Sequence, residues 1–148
     1  VSEQANFREV LNYSLASLKG EFAHKNIHIE LDIQDDLPLI QDLGIEGILS
    51  NLLRNATDAI DSDGTIKIQA KYSDEVLTII VSDTGRGIPA ENSEMIFEPF
   101  YTTKDIEKGC GLGLTIVAEI VKSYDGKIHV ESELGKGAVF TIHLPVKK

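Results

Sequence analysis

The apolar residues of this chain recur at two different periods, and the order in which the periods follow one another is what most restricts its fold. From about Ser2 to His24, Phe7, Val10, Leu11, Leu18 and Phe22 return at helical spacing, with Arg8, Glu9, Lys19 and Glu21 on the other faces. Ile27, Ile29, Leu31 and Ile33 then alternate with His28, Glu30, Asp32 and Gln34, the pattern of a half-buried strand with His28 toward solvent, and Pro38 closes the segment. Asp42 is the candidate N-cap of a second helix carrying Ile48, Leu49, Leu52, Leu53, Ala56 and Ile60, which ends near the turn Asp61 to Gly64. Thr65 to Tyr72 and Val76 to Asp83 read as strands joined by a polar hairpin connection at Ser73 to Glu75. From Asp83 to Gly111 the chain is rich in glycine, proline and charge, which predicts a long functional loop with at most a short helix near Ala90 to Ile96.

Helical spacing returns over Leu112 to Tyr124, and Asp125-Gly126 turns into two strands, Lys127 to Glu133 and Ala138 to Leu144, joined through residues 133 to 137. The order α-β-α-β-β-α-β-β does not alternate strictly. It therefore predicts an α/β fold of the α+β kind, a two-layer sandwich with helices packed on one face of a mixed, largely antiparallel sheet.

At 148 residues the chain suits one domain. Its formal charge of −10 repels nucleic acid and anionic membrane surfaces, so neither is an expected partner. There is no apolar run long enough to span a bilayer and no signal-peptide core, which makes the chain an expected cytoplasmic one. Cys110 is the single cysteine, which excludes an internal disulfide, and His24, His28, His129 and His143 lack zinc-ligand spacing. A metal is therefore expected to arrive with a ligand.

Asn51 and Asn55 lie four apart on the second helix and project from one face. A carboxamide oxygen suits Mg²⁺ held between phosphate oxygens, because the phosphates already supply the negative charge. Asp83 ends a strand, and Thr84, Gly85, Arg86 and Gly87 turn the backbone sharply behind it. A carboxylate fixed there accepts hydrogen bonds and donates none, which suits an adenine amino group. Gly109, Gly111 and Gly113 run straight into a helix, whose N–H groups suit phosphate. These glycines follow a charged loop and not a strand, and no GxxxxGK[ST] segment exists, so neither a dinucleotide fingerprint nor a phosphate loop fits.

Four elements thus stand in order, NLLRNATDA at 51 to 59, DTGRGI at 83 to 88, FEPFYTTK at 97 to 104 and GCGLGL at 109 to 114. Together they resemble the nucleotide site of the ATPase superfamily shared by gyrase B, Hsp90 chaperones, MutL and histidine kinases. The resemblance implies that Asn55, with Asn51, holds Mg²⁺ and that Asp83 reads adenine, with Gly85, Gly87 and Ile88 beside it. Asp58 falls at the same site, where, with Ala59, the chain resembles the nitrogen-regulation and sporulation type of kinase. Phe97, Pro99 and Phe100 resemble the hinge of a mobile lid spanning 97 to 111, with Thr102, Thr103 and Lys104 entering it. Lys104 is the expected phosphate-facing cation, ahead of Lys108 and Arg54, and Gly109, Gly111, Leu112, Gly113 and Leu114 cradle the phosphates.

In hydrolytic members of this superfamily a glutamate orients water four residues before the magnesium asparagine. Here that position is Asn51, and an amide cannot take the proton a general base must take. The same difference sets the chain apart from the serine kinases that inhibit sigma factors. The histidine-kinase branch fits instead, since a neutral imidazole is already a good nucleophile. The resemblance implies ATP and Mg²⁺ as cofactors, transfer to a histidine on a separate helical hairpin, and a response regulator downstream. No histidine here is followed by the acidic residue of an acceptor box. Residues 1–24 match the segment that connects such a hairpin to the catalytic domain, so the chain is expected to be an N-terminally truncated, monomeric catalytic domain.

Overall fold

The computed structural model describes residues 3–87 and 112–146, with Leu112 described by its backbone alone. The elements run β1 (Gln4–Ala5), α1 (Phe7–Ser17), α2 (Lys19–Lys25), β2 (Ile27–Ile33), β3 (Ile40–Gln41), α3 (Ile45–Ala59), β4 (Gly64–Ser73), β5 (Val76–Asp83), α4 (Leu112–Ser123), β6 (Lys127–Glu133) and β7 (Gly137–Pro145). A five-stranded sheet has the order β2-β4-β5-β7-β6, and only the β2–β4 pair is parallel. The mixed, largely antiparallel sheet under a helical layer is the predicted architecture. The expected helix near Ala90 to Ile96 and the lid lie outside the described residues.

Side-chain alternation fixes which face carries the helices. Ile66, Ile68 and Ala70 of β4, Leu77, Ile79 and Val81 of β5, and Phe140, Ile142 and Leu144 of β7 are buried in register. They meet Ile48, Leu49, Leu52 and Leu53 of α3, Val117 and Val121 of α4, and Phe7 and Leu11 of α1 in one continuous core. The opposite face carries Lys67, Gln69, Thr78, Thr141 and His143, none of them buried. On the edge strand β2 the expected alternation is partial, for His28 is exposed as predicted but Leu31 is exposed too, at 48%.

The expected single helix from Ser2 to His24 is two helices, with residues 4 and 5 in a strand. The Ser17 hydroxyl donates to the Ser14 carbonyl at 2.8 Å, the acceptor a continuing helix would reserve for the amide of Leu18. That amide bonds Leu15 O at 3.1 Å instead, the helix breaks, and Leu18 turns into the core. β1 pairs antiparallel with β3, Gln4 opposite Gln41 and Ala5 opposite Ile40, a pair too short to show a period. The N-cap position of α3 is Gly44, not Asp42. The Asp42 carboxylate still accepts from the amides of Gly44 and Ile45, at 3.0 and 3.3 Å, so the capping chemistry is the expected one from two residues further back.

One phenol pins the end of α4 to the segment that leads into α3. The Tyr124 hydroxyl, just past the end of α4, accepts from the Leu43 amide and donates to the Gln41 carbonyl, both at 2.8 Å, ahead of the start of α3. Burial pushes its ionisation up, and the Leu43 amide pulls only partly the other way. Tyr124→Phe removes both of these hydrogen bonds and is expected to cost about 1–3 kcal/mol, read from the urea unfolding midpoint. An unchanged midpoint would contradict the pin.

Candidate functional site

Asn51 and Asn55 stand half-buried beside the apolar stripe of α3, one turn apart. The Asn51 amide nitrogen donates to the Gly47 carbonyl at 2.7 Å, so the atom it presents outward is its oxygen. That Oδ1 faces the first turn of α4, 3.0 Å from where a Cβ on Gly113 would stand. With Tyr124 holding the far end of α4 beside the start of α3, the two helices run antiparallel. The N-terminus of α4, where amides lack intrahelical partners, therefore opens beside Asn51 and toward the Asn55 side.

Asp83, the last residue of β5, is a buried charged group, 7% exposed. Its Oδ1 accepts the Gly85 amide at 2.8 Å, and the amide of Ala138, its register partner on β7, also bonds it. Burial pushes the carboxyl above the ordinary range, while those two amides and the Arg86 guanidinium pull it down without overcoming the burial.

Two glycines let backbone pack closely around the Asp83 main chain and the loop behind it. A Cβ on Gly85 would stand 2.5 Å from the Ala59 carbonyl oxygen, so the loop behind Asp83 lies pressed against the last residue of α3. Gly137 has φ +98°, and a Cβ there would strike the Asp83 carbonyl. The β6–β7 turn is thus the back wall of the Asp83 site. Along α3, Asn51, Asn55 and Ala59 follow at single-turn steps, about 12 Å in all at 1.5 Å per residue.

Most of the expected residues within the described range are gathered on this line. Asn51, Asn55 and Asp58 lie on α3, Asp83, Gly85 and Gly87 at the end of β5 and beyond, and Gly113 and Leu114 in the first turn of α4, which Leu112 opens. Leu114 turns its side chain into the core, leaving its backbone for the site. Arg54 does not face the asparagines; it is paired with Glu21 of α2 at 2.5 Å, which draws the Glu21 carboxyl below its ordinary range. Ile88, Thr102, Thr103, Lys104, Lys108, Gly109 and Gly111 lie outside the described residues. The sequence presents residues 133 to 137 as a turn alone and gives no clear sign of Gly137 as a neighbour of Asp83. The spacing Gly135-Lys136-Gly137 is the only signal there, and it is a weak one.

A match to the family described as "Histidine kinase-, DNA gyrase B-, and HSP90-like ATPase" spans residues 40–148, every element of the site included. The chain belongs to that family. Among family members, the sensor kinase CckA of Brucella abortus is 40% identical over 148 residues, covering 88% of this chain and 16% of CckA. The catalytic domain of the histidine kinase ThkA superposes with a TM-score of 0.85 at 29% identity, over 98% of this chain and 95% of that domain; ThkA is also known in complex with the response regulator TrrA. ShkA, solved with AMPPNP, superposes with a TM-score of 0.87 at 27% identity, over 99% of this chain and 31% of ShkA. The chain is thus a catalytic ATP-binding domain of the sensor histidine kinase type, spanning a small part of a relative such as CckA. Among the described residues no helix is long and apolar enough to cross a membrane.

The raised Asp83 carboxyl sets a sign for stability against pH. In the window between the ordinary carboxylate pKa and its raised folded value, the folded chain binds the proton more tightly than the unfolded one. Stability from this group is present below the window and lost as pH rises through it. Asp83→Asn escapes that loss, so its melting temperature relative to the parent is expected to increase from about pH 4 to about pH 8. A difference that shrinks over the same range would contradict the assignment.

Proposed function

We propose that this domain binds Mg²⁺-ATP between α3, the Asp83 loop and the start of α4, and delivers the γ-phosphoryl group to a histidine on a separate helical hairpin. Asp83 accepts from the adenine amino group through the carboxylate oxygen that Gly85 leaves available. The Asn51 and Asn55 side-chain oxygens are suited to Mg²⁺, whose role is to neutralise charge on the phosphates. The amides at the start of α4 face the triphosphate, together with Gly109, Gly111 and Lys104 in a lid at 97 to 111. Residues 1–24 connect to the acceptor hairpin, and a response regulator takes the phosphoryl group onward. The domain itself works as a monomer in the cytoplasm.

The observation that carries the reading is the state of Asn51. It stands where a hydrolytic enzyme of this family needs a carboxylate, and its amide nitrogen is held by the Gly47 carbonyl, so no side chain at that place takes a proton from water. Transfer to imidazole needs none: a ring nitrogen forms the bond to phosphorus as the bond to the β-phosphate oxygen breaks, and ADP leaves.

Incubation with γ-labelled ATP, Mg²⁺ and the acceptor hairpin of the intact kinase is expected to give a phosphoprotein that is acid-labile and alkali-stable, with little phosphate release when the hairpin is omitted. Rapid hydrolysis without the hairpin would overturn the reading in favour of an ATPase. Asp83→Asn is expected to weaken ATP binding by about tenfold or more, the cost of setting an amide NH2 donor against the adenine amino donor in a buried site, measured by titration calorimetry. Equal affinity would remove Asp83 from the adenine site.

A further inference from the structure

The C-terminal end of α3 has no basic residue of its own in its last turn, yet cations and amides from other elements meet its final carbonyls. Lys25, at the end of α2, donates to Thr57 O at 2.9 Å. Arg86 donates twice, its guanidinium to Asp58 O and its backbone amide to Ala59 O, each at 3.0 Å. The same guanidinium lies 3.4 Å from the Asp61 carboxylate. The Arg86 carbonyl accepts the Gly135 amide at 2.7 Å, which ties in the β6–β7 turn.

Arg86 therefore joins three pieces of the site: the end of the helix that carries Asn51 and Asn55, the loop behind Asp83, and the hairpin that walls Asp83. Lys25 caps the same helix end from α2, through Thr57 O and not through the residues that follow Asp83. We infer that Arg86 is a positioning residue, which fixes the distance between the adenine carboxylate and the asparagine helix so that one nucleotide reaches both. The inference rests on the proposed Mg²⁺-ATP site. It makes a distinction between ligands, for adenosine engages only the Asp83 end whereas Mg²⁺-ATP must span both.

The test compares the parent chain with Arg86→Ala and Lys25→Ala, using calorimetric or competition titrations of Mg²⁺-ATP and of adenosine well below each melting temperature. Arg86→Ala is expected to weaken Mg²⁺-ATP about tenfold, the scale of a lost charged hydrogen bond, and to change adenosine by less than about twofold. Lys25→Ala is expected to lower the melting temperature while leaving both affinities within about twofold of the parent. Should Arg86→Ala not fold, Arg86→Gln, which keeps a neutral donor and loses the charge, takes its place with the same expected split. Unchanged Mg²⁺-ATP affinity in the Arg86 variant, equal weakening of both ligands, or an equal effect of Lys25→Ala would each overturn the inference. A parent chain that binds no Mg²⁺-ATP would instead overturn the proposed site.

Discussion

The seating of α3 is the constraint on which the rest of the site depends. The apolar stripe of this helix fixes its rotation against the sheet, and that rotation brings Asn51 and Asn55 out beside the seam with α4. Its start is bonded through Asp42 and lies beside residues held by Tyr124; its end is held by Lys25 and Arg86. A helix fixed in rotation and held at both ends turns a sequence spacing of four into a fixed spacing of polar atoms, and the first turn of α4 and the Asp83 loop take their places from it. Catalysis by positioning requires that kind of rigidity.

Asp83 shows what the arrangement costs. A carboxylate at the end of an inner strand is desolvated, and two backbone amides and a guanidinium only partly offset that loss. A neutral residue there would suit the fold better, so the carboxylate is best understood as an acceptor kept for a ligand. Asn51 presents the complementary case. Its nitrogen is committed to the helix backbone and its oxygen is presented to the neighbouring helix, which suits a hard cation and withholds a base.

Periodicity made the large elements legible in the sequence, because their faces are either buried or solvated as units. The sheet strands, α3 and α4 appear at nearly the expected limits. What escaped was set by single atoms. A serine hydroxyl splits the first helix, a pair of two-residue strands leaves no period to detect, and the cap of α3 acts from two residues away. At the site, the residue types and spacing of Asn51, Asn55, Asp83 and Gly113 were enough to single them out. The roles of Gly137 and Arg86 were not visible, since a glycine in a turn and an arginine in a loop look ordinary until the backbone they touch is known.

The central claim is that a single nucleotide lies along α3, metal toward the asparagines and base toward Asp83. Relaxation enhancement by Mn²⁺ in place of Mg²⁺, with AMPPNP bound and backbone amides observed by NMR, tests it directly. Strong broadening is expected at the amides of Asn51, Asn55 and Gly113, with weaker broadening and clear shifts at Thr84 to Gly87. Broadening strongest at the Asp83 loop, or absent from both asparagines while the nucleotide is bound, would contradict it.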